Sequence, residues 1–509
     1  MTPRFLLLLS VGAILFLAGV SRSVELGRAS LYVDEYLHVT AAQHMLTDGQ
    51  PRLPSGNLYR RVMPYTVAVA ASFKVFGVHE WSARVPSLVA GILLVLAVYG
   101  VGKRWFGSVA GLIAALIVGV SPLCIEMARF CRMYAWFQLV YLVVVYGAWQ
   151  WVVRPGRMTA GRVVGAVVAM GLLGFAAILQ NLAGVFVLAL GGFVAGLAVR
   201  RPRSPATLWV LAGLIGAGLL WVARPALLGG VWAKMNYAPT WAANSRYHVQ
   251  YYWDLWRADF PALLWLTLPL IGWLVWRYRR LGWYIAAMAL VPLLLHSYIF
   301  DWKSHRYVVH LFPVFALAVS PGLAALGQWL WEQGRRARIP AGLLVCGLTV
   351  VGIGLIWPAP ARAVQEIRHP DAPAWREAFL YIAAHRQPGE VLITSEPLAA
   401  QYYLGSVGEY TINNYGFADF KGKTQRNAEG WSIDWYAGIP YVTSGQDLAR
   451  VVAKAPRGWV AISTDRFAAD ASTPREIREW LSAHGTAESA TPDGSVVVCH
   501  WNIAQGSSG

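Results

Sequence analysis

Two adjacent carboxylates, Asp34 and Glu35, sit in the stretch LYVDEYLHVTAAQHM (Leu31 to Met45), directly after a strongly apolar run. A carboxylate at that place can take a proton from an incoming hydroxyl, and a position at a helix end beside a membrane tunes its proton affinity for such work. The same residues also suit a structural role, because Asp is a preferred N-cap and acids favour the positive end of a helix dipole. The pair alone does not choose between base and cap.

Basic residues gather in the segments that the charge map below places on the same side. Arg60 and Arg61 follow in the same loop, Arg84 lies in HEWSARVPSLVAG, Arg129 and Arg132 in ARFCRMYAW, and Lys303, His305 and Arg306 in DWKSHRYVVHLFP. Each one alone would serve as a helix-end anchor at the headgroups. Together they describe a place that wants negative charge. Guanidinium groups grip phosphate bidentately and stabilise a phosphate that leaves, so one carboxylate plus these arginines could carry out glycosyl transfer from a lipid-linked phosphate. The chain contains no Walker loop, no HExxH, no GxGxxG at a strand-helix junction and no GxSxG in a suitable setting.

The elements that must hold these residues are membrane helices. Of 509 residues 57% are hydrophobic and only 14% charged, which is membrane composition. Apolar segments long enough to span a bilayer fall near 4–21, 82–102, 109–127, 134–153, 160–179, 182–199, 206–228, 259–276, 282–300, 308–331 and 341–358. With a cytoplasmic N-terminus, bases fill every inside loop, while nine of the ten acids before residue 359 lie outside and only Glu332 lies inside. The positive-inside rule therefore fixes the orientation. It also explains most of the net charge of +17 without a nucleic-acid partner. The first span is read as an anchor, since no small-x-small cleavage site follows it.

After Trp357-Pro358 the long apolar runs stop. The remainder holds 16 of the 26 acids and 13 of the 43 bases, and its pattern alternates between helix and strand. It reads as a soluble α/β domain at 359–505 followed by a tail or vector-derived scar at 506–509. An odd number of spans places that domain outside the cytoplasm. Residues 1–358 form the membrane domain, with a long outside loop at 22–81 whose segments DEYLHVTAAQHML and MPYTVAVAASFKVFG predict interfacial helices. Cys124, Cys131, Cys346 and Cys499 show no metal or disulfide spacing and are expected as buried small apolar residues.

The acidic DE after the first span, the runs FKVFGVHEWSARVPSLVAGILLVLAVYGVGKRWFG and AGLIAALIVGVSP, the RxY of ARFCRMYAW and HRYVVHLFPVFAL resemble the GT-C superfamily of membrane glycosyltransferases. The likeness is to the family 39 type, which includes protein O-mannosyltransferases and lipid A aminoarabinose transferases. It implies a polytopic α-helical protein of about 11 to 13 spans with a C-terminal extracytoplasmic α/β domain. It further implies a polyprenyl-phosphate sugar donor, a lipid, glycan or protein acceptor, inverting transfer and residence in the cytoplasmic (inner) membrane.

On this resemblance Asp34 is the catalytic base with Glu35 in support, and Arg306 meets the lipid phosphate. Arg132 and Tyr134 lie near the cavity, and Lys303, Arg60 and Arg61 add positive charge. One departure stands out: aminoarabinose transferases carry a Glu-Lys pair before a proline in the first loop, where this chain has YRRVMPY. A hard divalent cation needs several oxygen ligands, so no metal ligands are assigned. The alternative reading, a transporter or lipid flippase, calls for acids in mid-span and related halves, and the sequence has neither.

Overall fold

The computed structural model describes residues 2–154, 159–180, 186, 189–194, 250–298, 303–368, 372–412, 425–469 and 472–503. Its first helices are α1 (Pro3–Ser23), α2 (Val33–Asp48), α3 (Met63–Phe76), α4 (Glu80–Phe106), α5 (Ser108–Val120), α6 (Pro122–Ala128), α7 (Tyr134–Gly147) and α8 (Ala160–Leu179). Next come α9 (Tyr251–Asp259), α10 (Pro261–Tyr278), α11 (Arg280–Tyr298), α12 (Phe312–Arg336), α13 (Ala341–Ile356) and α14 (Ala359–Arg368). Two compact units emerge, one of residues 1–24 and 87–369 and the other of 25–86 and 370–509. The long first loop thus packs as one body with the C-terminal domain.

The first unit is helical. By length and composition five of the described helices can cross a membrane, or up to eight if each bent pair counts as one span. The expected segments at 206–228 and most of 182–199 lie outside the described residues. Small residues let the helices approach closely: a Cβ on Gly102 of α4 would fall 2.8 Å from the Gly111 Cα of α5. The span expected at 109–127 is broken, bending by 65° between α5 and α6. Ser121 caps α6, accepting from the Cys124 N–H, and Pro122 opens it. Arg22 of α1 closes the other side of that break, donating to the Val118 and Gly119 carbonyls at 3.1 and 3.0 Å. Carbonyls left open at a helix end find a buried cation there.

In the second unit α2 packs against α3 and against α16 (Pro397–Leu404), after α15 (Trp375–His385). The strands are β1 (Val391–Thr394), β2 (Tyr410–Ile412), β3 (Gln425–Arg426), β4 (Ser432–Ile433), β5 (Tyr441–Val442), β6 (Arg457–Ser463), β7 (Gly485–Glu488) and β8 (Val496–Asn502). The helices α17 (Gly445–Lys454), α18 (Thr464–Ala468) and α19 (Arg475–His484) accompany them. Six strands form one sheet in the order β5-β2-β1-β6-β8-β7, parallel from β5 to β6 and antiparallel beyond. The run GWVAIS of β6 is buried throughout, as a strand covered on both faces must be. Ile393, Val460, Ile462, Leu481 and Trp501 belong to the core beside it.

The first loop is stitched into this unit. Asn57 Nδ2 donates to the Trp435 carbonyl at 2.9 Å, and Ser55 N–H to the Tyr436 carbonyl at 3.2 Å. Gly438 has a φ of +76°, and a Cβ there would stand 2.9 Å from the Ser55 Cα, so the turn admits little else. The cysteine expectation needs one correction. Cys124, Cys131 and Cys499 are buried, but Cys346 is exposed. It lies on α13, a strongly apolar helix with no buried residue, where lipid takes the place of a protein core.

Candidate active site

Tyr32 is the N-cap of α2, which makes Asp34 its second residue rather than the cap. The capping work falls to Glu35, whose Oε2 accepts from the Tyr32 N–H at 2.7 Å. Glu35 is 1% exposed and pairs with Arg84, Nε to Oε1 at 3.0 Å and Nη2 to Oε2 at 2.9 Å. Arg84 also donates to the carbonyls of Leu26, Ala29 and Ser30. Its guanidinium is therefore committed to holding the segment before α2, not to a ligand. Asp34 stays partly exposed one residue away.

Around Asp34 the second unit gathers groups from distant sequence. The Tyr436 hydroxyl feels Asp34, Arg61 and Asp434, and burial is the largest cause pushing its pKa upward. Arg60 and Arg61 are both exposed. Asp434 accepts from the Tyr436 and Ala437 N–H groups and from the Tyr441 hydroxyl. Burial raises its pKa despite these bonds. On the same side Glu396 follows β1 and Arg466 follows β6, with 3.4 Å between Oε2 and Nη1. Sequence reading missed Glu396, Asp434 and Arg466. The domain's near-even charge hides them, and only the fold sets Glu396 within the influence of Asp34, Asp434 and Arg466.

The first unit holds the other candidates. The Arg306 guanidinium lies over the Phe130 ring at 4.8 Å, and Phe130 stacks nearly parallel on Tyr134 with centroids 6.2 Å apart. This layering fixes a flat cation on an aromatic face. His305 Nε2 meets Glu126 Oε1 at 2.9 Å, a pair 179 positions apart that no local pattern could reveal. Lys303 is 6% exposed and donates to the His296 carbonyl at 3.3 Å. Arg132 is 1% exposed in the turn after Phe130, and its carbonyl accepts from Ser87 Oγ. Arg129, by contrast, closes the end of α1, donating to the Arg22 and Val24 carbonyls. Arg306, Tyr134, Lys303 and Arg132 are thus in one unit, while Asp34, Glu35, Arg60 and Arg61 are in the other. Among the described residues no group of three His, Cys, Asp or Glu side chains has the arrangement of a metal site.

Residues 62–223 match the family model described as dolichyl-phosphate-mannose-protein mannosyltransferase. The protein named "Putative mannosyltransferase YycA" from Bacillus subtilis (strain 168) is 34% identical over 77 residues, 15% of this chain. That alignment spans only 11% of the relative's own length. The whole chain is similar in structure to ArnT from Cupriavidus metallidurans bound to undecaprenyl phosphate, with a TM-score of 0.64, 15% identity and 98% of each chain covered. It is also similar to the archaeal oligosaccharyltransferase AglB from Archaeoglobus fulgidus in complex with an inhibitory peptide and a dolichol-phosphate, with a TM-score of 0.60 and 10% identity, covering 97% of this chain and 74% of that one. The resemblance read from the sequence is thus met at the level of fold: the chain shares the fold of these two proteins over nearly its whole length, and residues 62–223 match the mannosyltransferase family model.

Proposed function

We propose that the chain is a membrane glycosyltransferase that moves a sugar from a polyprenyl-phosphate donor to an acceptor hydroxyl, with inversion at the anomeric carbon. The acceptor oxygen forms its bond to that carbon as the bond to the phosphate oxygen breaks. The hydroxyl proton passes to the Asp34 carboxylate, and polyprenyl phosphate leaves with the electron pair. Arg306 receives the phosphate, and Arg132, Lys303, Arg61 and Arg60 add positive potential that favours the leaving charge. Tyr134 supports Arg306 through Phe130. Glu35, bound to Arg84, holds the helix that carries Asp34.

The observation that carries this reading is Arg306, its guanidinium held over the Phe130 ring at 4.8 Å and close in sequence to Lys303 and His305. A planar fork so placed suits a phosphate better than a point charge does. Arg306→Lys keeps the charge and loses the fork, so the expected result is a donor affinity weaker by about tenfold, with the melting temperature unchanged. Titration of a synthetic polyprenyl-phosphate sugar against the purified variant reads this directly. Donor affinity equal to that of the parent would remove Arg306 from the phosphate site.

The same proposal places the transfer at the outer face of the cytoplasmic membrane, on the strength of the charge asymmetry between loops. Protease added to intact spheroplasts should then digest the C-terminal domain. Digestion only in inverted vesicles would reverse the topology.

A further inference from the structure

Open α/β sheets place their working groups at the carboxyl ends of the parallel strands. In this domain that edge carries a buried acid. Glu396 follows β1, forms the N-cap of α16 and is 5% exposed. Arg466, after β6, is its cationic neighbour at 3.4 Å and also donates to the Ser395 carbonyl at 2.6 Å. Arg466 opposes the burial of Glu396 without cancelling it. Two further carboxyls act on it, Asp434 from the turn before β5 and Asp34 from α2, the helix packed on α16.

We propose that Glu396 is a positioning residue for the Asp34 base, a second carboxyl supplied by the α/β domain whose charge sets how strongly Asp34 attracts the acceptor proton. The inference rests on the glycosyl-transfer reading with Asp34 as base. Like charges in a partly desolvated place repel. An ionised Glu396 makes an ionised Asp34 less stable and hence a better proton acceptor, while a protonated Glu396 leaves it weaker. Burial, reinforced by Asp434 and Asp34 and opposed by Arg466, pushes the Glu396 carboxyl up to about 7. The switch between the two states therefore falls near neutral pH.

Among the described residues, the charged and titratable groups around the pair include Arg466 from α18, Asp434 from the turn before β5, and Tyr36 from α2, which feels Glu396. Arg61 and Tyr436 lie on the Asp34 side. Tyr403 of α16 faces the Glu80–Arg376 pair, which is closed at 2.6 Å.

Two measurements on the full chain in lipid nanodiscs test this. Infrared titration of protonated carboxyl bands should show one band that disappears near pH 7. It should be missing from Glu396→Gln and move to lower pH in Asp34→Asn. In Arg466→Met it should move to higher pH. Transfer by the parent should rise roughly three- to tenfold as pH passes through that region, and Glu396→Gln should lose the inflection.

A band unmoved by Asp34→Asn would overturn the coupling. A Glu396→Gln profile that superimposes on the parent would overturn the role in transfer while leaving Asp34 as base. If Glu396→Gln does not fold, the band shifts in Asp34→Asn and Arg466→Met decide the coupling, and the pH profile of Arg466→Met decides the role in transfer. In that variant an inflection displaced upward is expected, and an undisplaced one counts against the role. Failure of the parent to transfer at any pH would instead strike the glycosyl-transfer reading itself, which the band titration does not depend on.

Discussion

Replacing Asp34 by Asn should abolish nearly all sugar transfer while the protein stays folded. Removing a general base typically costs on the order of a hundredfold to ten-thousandfold in rate, because Asn cannot take the acceptor proton. The structural cost is small. Tyr32 is the N-cap of α2 and Glu35 closes it, so the cap does not depend on Asp34, and Asn at the second position keeps the shape while giving up a helix-dipole interaction of roughly 0.3–1 kcal/mol. The expected variant melts like the parent, binds the donor and does not transfer. If transfer persisted, Asp34 would not be the base.

The second large effect is on stability. Arg84 donates from Nε, Nη1 and Nη2 to Glu35 and three backbone carbonyls, and the pair is almost fully withdrawn from water. Removing one partner of a buried ion pair typically costs about 3–5 kcal/mol, since the other charge is left unpaired. Arg84→Met should therefore destabilise the second unit strongly, and Arg84→Lys should recover only part of the loss because an ammonium cannot fill a five-bond fork. Limited proteolysis and thermal unfolding read both variants. In Arg84→Met combined with Glu35→Leu the carboxylate left unpaired by the first change is gone as well, and part of the stability should return. A single Arg84→Met variant as stable as the parent would show that the pair does not hold the loop.

Much of the membrane architecture was legible because it follows from one strong signal. Nine of the eleven predicted spans coincide with described helices or bent helix pairs, from α1 through α13. The breaks inside them were less visible. The turn at Ser121-Pro122 interrupts an otherwise continuous apolar run, and hydropathy averages across it. In the α/β domain the longer elements also announce themselves, such as VLIT, RGWVAIS and VVVCHWN. The strands missed were the two- and three-residue pieces at 410–412, 425–426, 432–433 and 441–442, and the polar GTAE of β7, which has no alternation to detect.

The candidate site divides in the same way. Asp34, Glu35 and the arginines stand out because charges are scarce beside apolar runs. Partnerships do not stand out, because they are non-local. Glu35 finds Arg84 49 positions on, Glu126 finds His305 179 positions on, and Glu396 finds Arg466 70 positions on. That is why Arg84 and Arg129 read as phosphate candidates in the sequence and turn out to bind carbonyls and a carboxylate of their own chain.

The central claim is that the chain transfers a sugar from a polyprenyl-phosphate carrier. Its most direct test is a mass balance on the purified full chain in nanodiscs, supplied with synthetic polyprenyl-phosphate sugars and a membrane extract as the source of acceptor. Each mole of sugar moved to acceptor should release one mole of free polyprenyl phosphate, and the new glycosidic bond should have the opposite anomeric configuration to the donor. Carrier moved across the membrane with its sugar intact, or a product that retains the donor's configuration, would contradict the claim.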